Sequence, residues 1–318
     1  MNAAGGRMRV IMDVDTGVDD AVALALAVRH PGIQLEAVST VAGNVSLEQT
    51  TRNTLRVLDW LGATHVPVAR GAAVGLSGPF KDASHWHGPD GLGGARLPES
   101  PREAIDDGVS YLLDRIHAEP PGTFVLVCTA PLTNLALAVE REPRLPSMVR
   151  EVVLMGGAAR APGNVTPVAE FNIRADALAA ARVFEQDWRV TMVGLDVTRE
   201  VQITRADRDR LAQLSSPDAV LLREVTRFLF DTRGFDSMLV HDALAVAVGV
   251  DPSIVTMVER DVRVETRGEH TLGQTVVDLR THAQGGTESG RTRVCMRVDV
   301  QRFRKLLFGT LGLELLLR

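Results

Sequence analysis

The sequence predicts an α/β fold: an open, mostly parallel, doubly wound (Rossmann-like) sheet with helices on both faces and a C-terminal antiparallel extension. Two observations carry this prediction. Short apolar runs alternate with helical patterns over about the first 250 residues, which is how repeated βα units read. Beyond them the pattern changes to strand-like runs separated by Gly-containing connections.

Taken in order, residues 9–12 form a short apolar run that reads as a strand. It leads into Asp13-Val14-Asp15-Thr16-Gly17-Val18-Asp19-Asp20 and then into 21–28, a segment apolar all round and so a buried helix. Residues 35–42 read as a strand ending in Gly43-Asn44. Residues 46–61 follow as a helix, with Ser46 as N-cap and Gln49 at the capping-box position. After a short strand at 66–69 comes 71–102, rich in Gly and Pro and containing His85-Trp86-His87. A segment this long inside a compact domain reads as a flexible active-site loop.

Residues 103–117 read as a helix, 124–128 as a strand and 135–141 as a helix, joined by Thr129-Ala130-Pro131-Leu132-Thr133-Asn134. The strand at 149–155 ends in Gly156-Gly157. The polar loop 158–173 then carries Asn164, Glu170 and Asn172. A helix at 175–184, a strand at 190–195 and helices at 204–214 and 218–230 follow. His241-Asp242 opens the apolar helix 243–250, repeating an acid in the first turn of a buried helix. Residues 255–266, 271–279 and 291–298 read as antiparallel strands, and 300–317 as a closing helix. No linker or internal repeat interrupts the chain, so residues 1–318 are expected to form one domain.

Composition narrows the function classes. With 45% hydrophobic residues, the 318-residue chain can bury a large core. The formal net charge of −5, with no basic block, argues against nucleic acid or an anionic membrane as partner. The two cysteines, Cys128 and Cys295, each lie in an apolar run, as expected in a reducing compartment. Residues 1–9 lack the apolar core of a signal peptide, and no window has the ~18 uninterrupted apolar residues of a membrane span. The expected location is cytoplasmic.

The acidic turn sets the chemistry. It carries four carboxylates at the C-terminal edge of a strand, where ligand crevices form in open α/β sheets. No Lys or Arg lies between Arg9 and Arg29, and a helix N-terminus offers only about half a positive charge. Buried carboxylates need compensation, and all-oxygen ligands favour a hard divalent cation, Ca²⁺ or Mg²⁺. Polar residues recur at other strand ends: Asn44, Thr129, Asn164 with Glu170 and Asn172, and His241 with Asp242. Amides and carboxylates together suit a polyhydroxylated ligand such as a sugar. Trp86 reads either as a stacking surface for a planar ligand or as a cover for the core. Asn134 reads as a helix-start residue. There is no Gly-rich phosphate loop.

The ordered set Asp13 to Ala21, Val41-Ala42-Gly43-Asn44, Pro131-Leu132-Thr133-Asn134, Met155-Gly156-Gly157, Asn164 with Glu170-Phe171-Asn172, and His241-Asp242 resembles the inosine-uridine preferring nucleoside hydrolases. The resemblance implies Ca²⁺-dependent hydrolysis of the N-glycosidic bond of ribonucleosides to ribose and free base. By the same resemblance, Asp15, Asp20 and Asp242 would bind Ca²⁺ through carboxylates and Thr129 through its carbonyl. Asp15 would also be the general base for a water held by the ion. Asp19 would hold the ribose 2′- and 3′-hydroxyls, and Asn44 would orient water and sugar. Asn164, Glu170 and Asn172 would grip the ribose hydroxyls. His241 would face the base and assist its departure, with His87 the other histidine available to the substrate. Asp13 would be a supporting acid. A homodimer or homotetramer is implied.

Two features depart from that family's pattern. Phe228, Phe230 and Phe235 stand in the segment where members with a His at this site often carry tyrosines, the one Tyr here being Tyr111. Ala243 stands where a Pro is usual. Two other readings compete. One is a non-catalytic nucleoside- or sugar-binding protein on the same scaffold. The other is a Mg²⁺-dependent phosphatase, because Asp13-Val14-Asp15 is similar to the start of haloacid-dehalogenase phosphatases. Against the latter, Gly17 stands where those have Thr or Val.

Overall fold

The structure is a computed structural model that describes residues 6–317 apart from 282, 283, 285, 287 and 288; of the stretch read for a leader, 1–5 lie outside the described residues. The first half runs β1 (Met8–Val14), α1 (Val18–Arg29), β2 (Ile33–Thr40), α2 (Leu47–Trp60), β3 (Val68–Arg70), α3 (Ser84–His87), α4 (Gly108–His117), β4 (Phe124–Cys128), α5 (Thr133–Arg141), α6 (Leu145–Met148) and β5 (Glu151–Met155). The second half runs α7 (Phe171–Ala175), α8 (Ala177–Phe184), β6 (Val190–Val193), α9 (Leu195–Thr198), β7 (Gln202–Thr204), α10 (Arg205–Leu211), α11 (Pro217–Arg227), β8 (Ser237–Leu239), α12 (His241–Val250), β9 (Val255–Arg260), β10 (Val262–Val264), β11 (Thr275–Val277), β12 (Thr292–Val298) and α13 (Val300–Thr310).

The central sheet has the order β3-β2-β1-β4-β5-β6-β12-β9, parallel throughout except for the antiparallel edge strand β9. Its strands are apolar on both sides because helices cover both faces. One core holds the faces of α1, α2, α12 and α13, and the other those of α4, α5 and α8. The strand order reverses between β1 and β4. The loops after these two strands therefore diverge and leave a crevice, into which the acidic turn and Thr129 open. Among the described residues no helix is long and apolar enough to cross a membrane.

The structure refines several sequence expectations. The helix expected from 103 begins at Gly108, because Ile105 bridges to the β3 edge through Ile105 N–H to Val68 O and Arg70 N–H to Ile105 O. Asp107 then caps the helix through Ser110 N–H. The single strand expected at 255–266 breaks at Asp261, since β9 joins β12 in the main sheet while β10 pairs with β11 in a separate ribbon. The strand at 271–279 contracts to β11, and a small β7–β8 ribbon appears that the sequence did not signal. Segment 71–102 is tied down at several points. Buried Asp176 accepts from the N–H groups of Leu76 and Ser77, and Arg56 donates to the carbonyls of Ala95 and Leu97.

Candidate active site

Two alanine-rich helices bring the acids together. Ala21, Ala23, Ala25 and Ala27 of α1 and Ala243, Ala245 and Ala247 of α12 are fully buried, and the two helices pack on each other. Small side chains let the backbones approach closely. Each helix carries its acids in the first turn, so Asp19 and Asp20 meet Asp242: one carboxylate oxygen from each lies within 4.8 Å of the others. The positive ends of two helix dipoles point at this cluster. Thr129, at the end of β4, donates its hydroxyl to Asp20 Oδ1 at 2.8 Å, while Gly17 N–H donates to Asp20 Oδ2 at 2.8 Å.

Asp15 lies next to this trio, outside the set within 4.8 Å of one another but within electrostatic reach of Asp20 and Asp19. Its Oδ2 accepts from Asn44 N–H at 2.8 Å, and its Oδ1 is buried with no hydrogen-bond partner. This close approach requires glycine at 43, because a Cβ there would lie 2.1 Å from Asp15 Oδ2. Glycine at 17 has the same role, since a Cβ would lie 2.3 Å from His87 Nδ1 and 2.7 Å from Asn44 Nδ2. Burial, reinforced by mutual repulsion, lifts the carboxyl pKa values: Asp15 and Asp242 rise well above the usual range, Asp19 to about 7, and burial lifts Asp20 to about 6. Among the described residues no lysine or arginine pairs with any of the four. Buried, unpaired carboxylates with an orphaned oxygen and an all-oxygen donor set fit a hard divalent cation.

The surrounding polar residues are already partly committed. Asn44 Nδ2 donates to Asp15 O and Asp20 Oδ2, both at 3.3 Å. Asn172 spends its amide hydrogens on the carbonyls of Thr129 and Met155 at 3.0 and 3.1 Å, leaving its oxygen as an acceptor. Buried Glu170 accepts from the backbone N–H groups of Gly157, Asn172 and Ile173, with burial raising its pKa to about 7. Exposed Asn164 accepts from Phe171 N–H at 2.9 Å, fixing the start of α7 and leaving its NH₂ free to donate.

Two neutral imidazoles border the acids. His241 Nδ1 bonds Thr198 Oγ1 at 2.8 Å, and burial with the nearby Arg199 charge lowers its pKa to about 4. His87 Nδ1 accepts from Val18 N–H at 3.1 Å, which places its proton on Nε2 and lies 3.9 Å from Asp19 Oδ1. Burial lowers its pKa to about 3. Trp86 points outward instead: it is 43% exposed and packs against Phe235 with ring centroids 5.4 Å apart.

The structure adds residues the sequence reading passed over. Asn134 starts α5 as expected, yet its side chain donates to Asp13 Oδ1 at 2.8 Å and to Thr40 O, and accepts from Ala72 N–H. Asp13 also accepts from Ser39 Oγ at 2.5 Å, and its main-chain carbonyl holds Thr129 N–H. Asp13 thus ties β1 to Ser39 of β2, Asn134 of α5 and Thr129 after β4. The signal for Gly17 and Gly43 was their position beside an acid at a strand end. Nothing in the sequence signalled Thr198.

An aspartate cluster stands at the switch point of a parallel sheet, walled by amides and histidines, and its donor set suits a hard divalent cation and a hydroxyl-rich ligand. The family model for the inosine-uridine preferring nucleoside hydrolases matches residues 10–305, and the chain belongs to this family. It is 39% identical over 312 residues to the inosine-uridine preferring nucleoside hydrolase of Leishmania major, covering 95% of this chain and 97% of that protein. It is 38% identical over 303 residues to the pyrimidine-specific ribonucleoside hydrolase RihA of Salmonella newport, covering 94% and 96%. A purine-preferring ribonucleoside hydrolase from Gardnerella vaginalis superposes with a TM-score of 0.87 at 33% identity, over 96% of this chain and 98% of that one. The protein is accordingly an N-ribosyl hydrolase of the glycosidase class. The family is metal-dependent, and the Asp-rich cluster is the part of this chain suited to the ion.

Proposed function

We propose that this chain hydrolyses ribonucleosides to ribose and free base with Ca²⁺ held by the carboxylates of Asp15, Asp20 and Asp242 and the carbonyl of Thr129. The observation that carries the reading is the partnerless, buried Oδ1 of Asp15, whose charge is felt by Asp19 and Asp20 in the cluster they form with Asp242. Bound Ca²⁺ would neutralise the cluster and polarise the attacking water. Asp15 is the general base: Asn44 N–H fixes one oxygen and leaves the other to take the water's proton.

Asp19 holds the ribose 2′- and 3′-hydroxyls. The spare Asn172 oxygen, the free Asn164 amide, Asn44 and Glu170 grip the rest of the sugar, with His87 alongside. Surrounding carboxylates stabilise the oxocarbenium-like ribosyl centre, and attack opposite the base inverts the anomeric carbon. His241, oriented by Thr198, faces the base and assists its departure. We place the enzyme in the cytoplasm as a homodimer or homotetramer.

The test is reducing-sugar release from inosine, adenosine, guanosine, uridine and cytidine, with and without prolonged chelation. Release that stops on chelation and returns with Ca²⁺ supports the reading. No release with calcium present overturns it and favours a binding protein on the same scaffold.

A further inference from the structure

The outer side of α3 is held by a cluster that the reaction does not use. Arg233 donates a guanidinium N–H to the carbonyl of His85. The same guanidinium carbon lies 5.8 Å from the Trp86 ring centroid and 5.7 Å from that of Phe235. Trp86 and Phe235 pack against each other in a tilted arrangement, with ring centroids 5.4 Å apart and planes inclined at 36°. The turn that delivers Arg233 and Phe235 follows a π-helical turn (Phe228–Thr232), and Gly234 takes a left-handed φ of 71° with open space around it. A π-turn followed by a left-handed glycine is an irregular way to leave a helix. Here it presents the two side chains that flank Gly234, Arg233 and Phe235, to one indole ring.

The inner side of the same four-residue helix carries His87, whose Nδ1 accepts from Val18 N–H at the head of α1. Trp86 and His87 are adjacent in sequence, about 100° apart around the helix, so the outward contact and the inward one fix the same turn. Ala83, just before the helix, donates to Asn44 O at 2.9 Å. The inner contacts are three hydrogen bonds: His87 Nδ1 accepts from Val18 N–H, His87 O accepts from Gly93 N–H at 2.7 Å, and Ala83 N–H donates to Asn44 O. A short helix on its own is not stable, so its place depends on these inner bonds together with the cluster that grips it from outside.

We infer that Arg233 is a positioning residue, which seats His87 at the substrate by clamping the Trp86 face of α3 against Phe235. The inference rests on the placement of His87 at the substrate proposed above. It assigns a role to an exposed arginine outside the acidic cluster. Arg233 acts on binding, because it touches none of the acids that hold or activate the water.

The experiment uses the full-length enzyme and its Arg233→Ala and Phe235→Ala variants. The readouts are acrylamide quenching of Trp86, KM and kcat for inosine and uridine, and the thermal midpoint. The Trp86 signal is isolated by subtracting the Trp86→Phe protein, since Trp60 and Trp188 contribute the remainder. Removing an exposed cation–π contact together with its hydrogen bond should raise KM by about three- to tenfold. Trp86 should become more quenchable in the free enzyme, with kcat within about twofold and the midpoint unchanged.

Unchanged quenching overturns the clamp. Looser Trp86 with an unchanged KM overturns the positioning role, and so does a fall in kcat alone. His87→Ala separates this inference from the reading beneath it: if that variant leaves KM untouched, the placement of His87 at the substrate fails, whatever Arg233→Ala does to Trp86.

Discussion

Replacing Gly43 by alanine isolates the position of a single carboxylate. Gly43 has no left-handed φ, so the backbone accepts alanine without strain. The added Cβ would sit 2.1 Å from Asp15 Oδ2 and 2.9 Å from its Cγ, with Pro131 Cδ at 3.0 Å. An ordinary carbon–oxygen contact needs about 3.4 Å, so the Asp15 carboxylate must move by about 1 Å or more. Pro131 prevents the new methyl from retreating. Displacements of that size cost about 10²-fold in a well-ordered active site. The bond from Asn44 N–H is lost as well, which removes about 1–3 kcal/mol from a buried group. For a chain of this length that corresponds to a fall of a few degrees in Tm.

The assay is steady-state reducing-sugar release from inosine and uridine, with Tm by scanning calorimetry. Gly309→Ala, at a helical glycine with nothing within 4 Å, serves as the control and should be neutral or slightly stabilising. A kcat for Gly43→Ala within threefold of wild type would refute the idea that Asp15 must sit where it does.

Three other outcomes are expected. Asp15→Asn should reduce kcat by on the order of 10²–10⁴ while the protein stays folded; full activity in that variant would remove Asp15 as the base. Chelation should lower Tm by about 6 °C if the free ion stands near a thousand times its Kd, a linkage of about 4 kcal/mol; an unchanged Tm would mean that the four acids are not held by a cation. If the exposed stretch around Lys81, ahead of the clamped α3, closes over the ligand, trypsin should cut after Lys81 in the free enzyme and more slowly with a bound nucleoside analogue; equal cutting rates would contradict that closure.

Much of this was legible in the sequence because the signals were redundant. The strand before Asp13 and the apolar helix after Asp20 mark a βα turn independently of the acids between them, and the repeated acid at Asp242 marks the second helix of the pair. What stayed hidden depends on distance in space. Asn134 reads correctly as a helix start, but its clamp on Asp13, Thr40 and Ala72 exists only once β1, β2 and α5 are side by side. Asn164 and Asn172 read as sugar ligands, yet each spends part of its hydrogen-bonding capacity on backbone groups, which no spacing rule reveals. The break at Asp261 was illegible because it reflects the choice between two sheets, both of which suit an apolar alternating run. Trp86 was ambiguous between ligand and cover until Phe235, far along the chain, supplied its partner.

The place of β12 in the sheet has a consequence for how the chain is made. It lies between β6 and β9, one place in from the edge of the sheet, so an interior strand is the last of the sheet to be synthesised. From Val193 until Thr292 leaves the ribosome, β6 carries an unsatisfied edge while α9 to α12 and β9 accumulate beside it. An open, apolar strand edge recruits other chains, and long-range parallel pairing is slow. The interval between those residues is therefore the window in which nascent chains are most exposed to aggregation. Slowed translation before β12 should lower the soluble yield, whereas slowed translation after it should not.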